Sequence, residues 1–444
     1  MPQPVEPAPD RPPNGTASPR APEPQRPPDP LATPPRPDDA PAPAYDAILI
    51  TSFGGPEGMA EVMPFLEHVT RGRGIPRERL EGVAQHYALF GGVSPINAQN
   101  RALVAALEAE LAASGPRVPV YWGNRNWHPF LADAIGRMRD DGVRHAAAFV
   151  TSAYGGFSGC RQYRGDLAAA RAAVGPDAPA IDKLRLFYNH PGFIRPMIDR
   201  LTSALDALDG PAGGEDRRRA ASVLFTAHSV PLAMAEDSRY VEQLTEASHL
   251  VSAGAGLAGP PRLVYQSRSG PPSQPWLEPD VGDAVAVLAA DGVRDVVVVP
   301  IGFVSDHMEV VFDLDTELAE RCAALGVRLT RVPTVGTDPA FVRMIRDLFV
   351  ERQAVGAVRP ALGDHGASHD TCPPYCCWYA PRPAVRPGAA ANDVGDAAHG
   401  EPPARSPTGS PPGAPPGAPT GAPTGAPTRA PTDAPINSAD VATP

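Results

Sequence analysis

The chain has 444 residues and a formal net charge of −11, and its 58 prolines are concentrated toward the two ends. The acidic composition has no basic stripe, which excludes a nucleic-acid-binding function, because that function needs clustered lysine and arginine against phosphates. The sequence has no apolar run of about 18 residues, and it does not begin with the basic and apolar stretches of a secretory signal. We therefore expect a cytoplasmic protein without a transmembrane segment.

The ends of the chain differ from its middle in composition. Residues 1–44 and 381–444 are rich in proline and small residues and have few large apolar side chains. Such segments cannot bury enough surface to offset their conformational entropy. We predict a disordered N-terminal extension at 1–44 and a disordered tail at 381–444. The roughly 310 residues between them suit two domains, at about 100 to 200 residues per domain.

Eight apolar runs of strand length alternate with amphipathic segments, which is the pattern of β-α units. The first four runs are 47–53, 118–123, 145–153 and 184–188, and the second four are 222–229, 262–268, 295–303 and 327–333. Runs such as VVVVP are typical of strands buried on both faces of a parallel sheet. We predict an α/β fold of two lobes, 45–209 and 216–337, each with a four-stranded parallel sheet flanked by helices, and a closing helix at 338–353.

Polar and aromatic residues follow several of these predicted strands. They are Ser52, Phe53, Tyr154, His228, Ser229 and the loop from Gly302 to Glu309. Loops after parallel strands lie along one edge of a sheet, and ligands of open α/β sheets bind at that edge. Two lobes that face each other would bring these residues into one cleft.

His228 and Glu309 are the two candidates for chemistry in that cleft. A histidine at a strand end can accept a proton or ligate a divalent metal, and it can equally be a turn residue hydrogen bonded to the backbone. The acidic residues around Glu309 can be favourable charges at a helix N-terminus, and we assign Asp306 to that role as the helix cap. Glu309 is flanked by Met308 and Val310, so it is the better candidate for a carboxylate that faces His228.

Three of the five cysteines, Cys372, Cys376 and Cys377, cluster beyond the closing helix. Disulfides are rare in the cytosol, so a metal or an iron–sulfur cluster is the expected reason for this clustering. Cys160, at the end of a predicted strand, could provide a fourth thiolate, and the spacing does not choose between zinc and iron–sulfur. Cys322 has alanine and leucine neighbours at helical spacing and is predicted to be a core residue.

The segments FTAHSVP and PIGFVSDHMEVVFDLD resemble the two active-site stretches of ferrochelatases. Further resemblance is carried by SFGGPEG, HYALFGGVSPIN, YWGNRNWHPFL and YQSRSGPPSQPWLEPDV, so it covers nearly all of the predicted folded region. The resemblance is to the coproporphyrin III enzymes of actinobacteria. It implies the class II chelatase fold of two Rossmann-like lobes, with a porphyrin between them. It also implies a lyase of heme biosynthesis that inserts Fe²⁺ into coproporphyrin III and releases two protons.

Matched residue by residue, the family's active-site histidine falls on His228 and its paired glutamate on Glu309, and both are expected to contact the Fe²⁺ substrate. Which of them delivers iron and which accepts protons stays open. The resemblance places porphyrin contacts at Ser94, Tyr163, Phe53 and Tyr87. Some relatives have a tyrosine at the position of Phe53, and phenylalanine has no oxygen to ligate the product iron.

The resemblance also implies a [2Fe-2S] cluster held by Cys160, Cys372, Cys376 and Cys377, in an extension at 370–380. The expected partners are coproporphyrin III and ferrous iron, and a monomer is expected. Two alternatives within tetrapyrrole chelatases are insertion of Co²⁺ or Ni²⁺ and the use of protoporphyrin IX. A third alternative is a non-catalytic tetrapyrrole or iron sensor.

Overall fold

The computed structural model describes residues 44–209, 215–270, 273–373 and 376–379. The predicted disordered tail, and the predicted N-terminal extension except for Ala44, lie outside the described residues. No helix within the described ranges is long and apolar enough to cross a membrane.

The first sheet contains β1 (Ala47–Ser52), β2 (Val120–Asn124), β3 (His145–Val150) and β4 (Ala180–Lys183). Its strands are parallel and lie in the order β2-β1-β3-β4. All six residues of β1 are buried, because this central strand is covered on both faces by helices. Ile50 pairs with Trp122 on one side and with Phe149 on the other.

The second sheet repeats this arrangement with β5 (Ser222–His228), β6 (Arg262–Gln266), β7 (Asp295–Val299) and β8 (Arg328–Arg331). The strands are again parallel, in the order β6-β5-β7-β8. The DVVVV sequence of β7 is buried at every position. The predicted fold class, two four-stranded parallel sheets flanked by helices, is confirmed.

The predicted strand at 184–188 was wrong. The fourth strand is Ala180–Lys183, and the chain leaves the sheet after the hydrogen bond from the Leu184 amide to the Ala148 carbonyl (2.9 Å). The apolar side chains that suggested a strand are buried in the core as part of an extended connection. Burial in a connection and burial in a sheet give the same apolar run, so composition does not separate them.

Thirteen α-helices connect and cover the strands in the described residues. They are α1 (Met59–Val69), α2 (Arg77–Ala88), α3 (Ile96–Ser114), α4 (Leu131–Asp140), α5 (Gln162–Val174), α6 (Pro191–Leu208), α7 (Glu215–Ala220), α8 (Leu232–Glu236), α9 (Tyr240–Gly254), α10 (Val281–Ala290), α11 (Met308–Phe312), α12 (Ala319–Ala324) and α13 (Pro339–Gln353). There are also two π-helical turns. The first, Phe157–Arg161, directly precedes α5, and the second, Asp313–Leu318, directly follows α11.

The largest apolar cluster includes residues of both sheets, for example Phe149 of the first and Phe225 of the second. The predicted closing helix is α13, and the side chain of Asp338 caps it by accepting the Ala340 amide (2.9 Å). It packs against α3 and α6. Its Phe341 ring lies 6.0 Å from the ring of Phe149 and 6.3 Å from that of Phe193 on α6. The closing helix therefore belongs to the core that the two sheets share.

The strand order places one topological switch point in each sheet. The chain crosses from one side of β1 to the other between β2 and β3, and it does the same around β5 between β6 and β7. A crevice opens at the carboxyl ends of the strands at such a point, and this is where ligands of open α/β sheets bind. Phe53 follows β1, His228 ends β5, and the loop to Glu309 follows β7.

Candidate active site and thiolate centre

Backbone packing at the end of β5 brings the loop after β7 against His228. The Gly302 amide donates to the Thr226 carbonyl (3.0 Å). A Cβ on Gly302 would lie 2.6 Å from Cβ of Ala227, so only glycine allows this close approach. The glycine thereby helps to set the distance between the two candidate chemical groups.

His228 and Glu309 are brought together in the structure. Nε2 of His228 lies 3.5 Å from Oε1 of Glu309, and the two side chains are 31% and 48% exposed. Nδ1 of His228 is in hydrogen-bond contact with the Ser229 carbonyl. The Tyr240 hydroxyl donates to the carbonyl of His228 (3.1 Å). The imidazole is therefore fixed from its backbone side, and its other nitrogen faces the carboxylate.

The start of α11 differs from the expected capping. The N-cap is His307, whose Nδ1 accepts the Glu309 amide (3.2 Å). The prediction that Asp306 caps this helix was wrong. Its carboxylate is instead engaged by Arg331 (3.3 Å) and Thr334 (3.1 Å), both of which donate to it.

The two groups of the pair shift each other's pKa. Burial lowers the pKa of His228, but the charge of Glu309 and the hydrogen bond to it outweigh burial and raise the value to about 9. Burial raises the pKa of Glu309, but the charge of His228 outweighs it and lowers the value to about 2. At neutral pH the pair is therefore an imidazolium and a carboxylate. The nearby His307 has a lowered pKa, chiefly because it is buried.

Asp313 is a site residue that the sequence reasoning did not select. Its carboxylate accepts from the Ser267 hydroxyl, and burial, together with the charge of Glu309, raises its pKa to about 7. Gln266 supports the same segment by donating to the Glu309 carbonyl (2.6 Å). The signal in the sequence was the four-residue spacing of Glu309 and Asp313, which places two carboxylates on one face of a helix.

On the first lobe, the turn after β1 positions Phe53. Gly54 has φ +83°, and a Cβ on it would lie 2.8 Å from Cβ of Asn124. A Cβ on Gly55 would lie 2.7 Å from Cβ of Ser94. The turn therefore packs directly on both side chains, and Ser94 is buried beneath it with 4% exposure. Phe53 is exposed above the same turn.

Arg125, which the sequence reasoning did not select, links two of the predicted porphyrin contacts. Its guanidinium carbon lies 4.8 Å from the ring centroid of Tyr163 and 5.9 Å from that of Phe53. Its Nε is 2.7 Å from a carboxylate oxygen of Asp166, and its side chain is 7% exposed. Burial is the largest cause that raises the pKa of Tyr163, to about 12. For Arg125, the only signal in the sequence was its position next to aromatic residues in NRNWHPF.

A chain of aromatic contacts connects Phe53 to the second lobe. The Phe65 ring lies 6.4 Å from that of Phe53 and 6.1 Å from that of Tyr87. Burial, and secondly the charge of Glu309, raises the pKa of Tyr87. His86 stacks on Phe312 of α11, with centroids 3.9 Å apart. Phe65 and Tyr87 are buried in one apolar cluster, and of the rings of Phe53, Phe65 and Tyr87 only that of Phe53 is exposed.

Three residues expected in the cleft are instead buried structural groups. The hydroxyl of Ser52 accepts from Asn100 (2.9 Å), and that of Ser229 donates to the Leu277 carbonyl (2.8 Å). Tyr154 is 2% exposed and donates to the Ile301 carbonyl (2.9 Å). Their hydroxyl groups are therefore used in hydrogen bonds within the protein.

The model of the Ferrochelatase family matches residues 45–353. The chain belongs to the ferrochelatase family. A ferrochelatase of Rhodopirellula baltica is 51% identical over 341 residues, which cover 77% of this chain and 95% of that protein. Coproporphyrin III ferrochelatase of Streptomyces griseus is 51% identical over 374 residues, covering 80% of this chain and 97% of that protein. The coproporphyrin III ferrochelatase of Mycolicibacterium smegmatis is 52% identical over 311 residues, covering 69% and 90%.

The resemblance to ferrochelatases that the sequence motifs carried is therefore confirmed. Among solved structures, SirB from Bacillus subtilis with Fe3+ matches with a TM-score of 0.42 at 12% identity, covering 70% of this chain and 96% of that chain.

Away from the His228–Glu309 pair, this ferrochelatase-family chain brings two of the four predicted cysteines, Cys372 and Cys376, into one group of possible metal ligands. Cys160 is buried in the first π-helical turn. The Cys372 thiol raises the pKa of Cys160, and the Cys376 thiol raises that of Cys372. Sγ of Cys376 is 3.8 Å from Sγ of Cys377. Cys322, the fifth cysteine, is 1% exposed in the core of the second lobe, as predicted.

The donor set fits a thiolate-bound metal centre. The hydrogen bond with Cys372 and burial raise the pKa of the Cys160 thiol, while the charges of Lys183 and Arg164 lower it. These cations would balance thiolates once a metal removes the protons. The Arg161 guanidinium lies 5.2 Å from the ring centroid of Trp378, which holds the extension against the turn that contains Cys160.

Proposed function

We propose that this chain inserts Fe²⁺ into coproporphyrin III, as a lyase of heme biosynthesis. The observation that carries the proposal is the contact between His228 Nε2 and Glu309 Oε1, which are 3.5 Å apart. His228 ends β5, and Glu309 follows the neighbouring strand β7. The names of the relatives that are 51% identical, coproporphyrin III ferrochelatase among them, support the substrate.

The reaction exchanges one ferrous ion for the two N–H protons of the porphyrin. His228 is protonated at neutral pH, so it must release that proton before its nitrogen can contact iron or accept a pyrrole proton. An incoming dication lowers the pKa of the imidazole and displaces its proton. The displaced proton passes to solvent, and Glu309 and His228 hold the ion between them. Once the ion has entered the macrocycle, the freed imidazole of His228 accepts one of the two N–H protons. Asp313, with a pKa of about 7, is a second acceptor within the same segment.

Phe53, Tyr87 and Tyr163 are the proposed porphyrin contacts, and Arg125 provides a cation close to two of them. A buried guanidinium suits a carboxylate of the porphyrin rim. Ser94 is also proposed to take part in porphyrin binding. It lies beneath the turn that contains Gly55, so it would act on the porphyrin through that turn. Binding energy from the rim can distort the macrocycle and expose its nitrogen lone pairs.

Single-turnover metallation under anaerobic conditions tests this function. Iron coproporphyrin should form with the wild type, and His228→Ala should slow its formation by about 100-fold or more, the range of a lost proton acceptor. His249→Ala, at an exposed position on α9, is the matched control. Competition of coproporphyrin III with protoporphyrin IX, and of Fe²⁺ with Co²⁺ and Ni²⁺, tests the substrates. Unchanged activity of His228→Ala would contradict the proposed mechanism.

We further propose that Cys160, Cys372, Cys376 and Cys377 hold a [2Fe-2S] cluster. Such a cluster would supply a structural link between the extension and the first lobe, or a redox-sensitive signal, because metal insertion needs no electron transfer. Aerobically purified protein should show two-iron absorbance, lost in Cys376→Ser and kept in Cys322→Ser. A zinc-only preparation contradicts this assignment.

Three organisational proposals accompany the function. The lobes are placed at 45–209 and 216–337, with the cysteine extension at 370–380. A monomer is proposed, and size-exclusion chromatography with light scattering tests it. A cytoplasmic location is proposed, and fractionation of cells tests it.

A further inference from the structure

A histidine lies among the cysteines of the extension. Nε2 of His369 is 3.8 Å from Sγ of Cys376. One ligand atom each from His369, Cys372 and Cys376 all lie within 4.8 Å of one another. We propose that His369 supplies an imidazole ligand to the metal centre held by Cys372 and Cys376, so that the site has five donors rather than four.

The distances match those that a tetrahedral ion requires. With metal–sulfur bonds of about 2.3 Å and metal–nitrogen bonds of about 2.0 Å, two ligand atoms on one ion are about 3.5 to 3.8 Å apart. Cys376 has two partners at this separation, His369 on one side and Cys377 on the other, each at 3.8 Å. Cys376 can therefore share an ion with either of them.

The backbone on both sides of His369 is fixed. Arg359 donates to the Ser368 carbonyl (2.5 Å), and the Asp370 carboxylate pairs with Arg359 (3.3 Å) and Arg352 (3.7 Å). The imidazole therefore extends from an anchored segment, and little conformational entropy is lost when it binds a metal.

Charge also favours one neutral ligand. Four thiolates around iron or zinc would carry four negative charges, and Lys183 and Arg164 are the cations that act on Cys160 and Cys372. A further ligand that is a neutral imidazole adds a donor without adding to the negative charge that these cations must balance. Mixed histidine and cysteine donor sets hold both zinc and two-iron clusters in proteins.

X-ray absorption at the edge of the bound metal tests the ligand directly. The full-length chain would be used in a His228→Ala background and desalted, so that substrate iron contributes no nitrogen. The expected result is a mixed shell, with nitrogen at about 2.0 to 2.1 Å and sulfur at about 2.3 Å. His369→Cys should keep the metal but give an all-sulfur shell.

His365→Ala is the matched control. His365 is only four residues before His369, but its ring bridges Glu242 (2.8 Å) and Glu246 (3.0 Å) instead of facing the cysteines. This variant should keep the mixed shell. An all-sulfur shell in the protein with His369 intact, nitrogen that persists in His369→Cys, or a chain that binds no metal would each overturn the proposal. The inference deepens the proposed thiolate centre, and because its readout is a metal–ligand distance, its failure is distinct from a failure of porphyrin metallation.

Discussion

Nε2 of His228 lies 3.5 Å from Oε1 of Glu309, although the two residues belong to different strand-to-helix connections of the second lobe. Each charge stabilises the other, so the free site carries a proton on His228 at neutral pH. Iron and this proton compete for the same nitrogen. The pH dependence of metal binding should therefore depend on the partner carboxylate.

Glu309→Gln should lower the pKa of His228 from about 9 toward or below its ordinary value of 6.5. Removal of the negative charge leaves burial as the dominant influence, and burial favours the neutral imidazole. NMR titration of the His228 ring protons measures the shift. Glu320→Gln, on α12 outside the pair, should leave the titration unchanged. A His228 pKa that stays near 9 in Glu309→Gln would contradict the proposed coupling.

Asp313→Asn should stabilise the protein more at pH 8 than at pH 5. The folded-state pKa of Asp313, about 7, lies above its ordinary value of 3.8. The buried carboxyl therefore lowers the free energy of unfolding progressively as the pH rises from 3.8 to about 7, and the full loss is present above that range. With roughly 1 kcal/mol allowed after solvent screening, Tm should rise by about 3 °C at pH 8 and by less at pH 5.

Differential scanning fluorimetry at the two pH values measures this difference. Asp291→Asn, at the end of α10, is the matched control and should show no pH-dependent gain. An equal effect of Asp313→Asn at both pH values would show that the carboxyl is not protonated in this window.

The sequence predicted the sheets well because parallel strands buried on both faces are nearly continuous apolar runs. Seven of the eight predicted strands overlap strands of the structure. The run at 184–188 failed because its side chains are buried in the shared core outside the sheet. The edge that carries His228 and Glu309 also followed from the strand pattern, although the choice of these two residues depended on the family motifs.

Other parts of the site depend on neighbours that are distant in sequence. Arg125 matters because it lies between Phe53 and Tyr163, and no local pattern records that position. The raised pKa of Asp313 depends on its burial and on Glu309. Tyr154 was expected in the cleft because it follows a strand, but the closeness of the two sheets makes it an internal hydrogen-bond donor.

Phe53→Tyr tests whether the ring after β1 faces the bound product. Phe53 is exposed beside Arg125, so a tyrosine would place a phenol where the macrocycle is proposed to bind, and the adjacent guanidinium favours the phenolate. Ferric coproporphyrin bound to the variant should show a phenolate-to-iron charge-transfer band and slower release. Phe130→Tyr is the control, because the Phe130 ring contacts that of His128 edge-on, and it should leave the product spectrum unchanged. An unaltered spectrum in Phe53→Tyr would place the macrocycle elsewhere.

Glu351→Gln should lower the free energy of unfolding by about 3 kcal/mol, the typical result of removing one partner of a buried ion pair. Glu351, on α13, receives two hydrogen bonds from Arg185 (2.6 and 2.9 Å), and the side chains are 8% and 1% exposed. In the variant the buried guanidinium of Arg185 would have no carboxylate partner. It would donate only to neutral acceptors, among them the Pro360 carbonyl (3.0 Å). Urea unfolding followed by tryptophan fluorescence measures the loss, with the exposed Glu236→Gln as control. An unchanged urea midpoint would mean that the pair does not help to hold the closing helix in place.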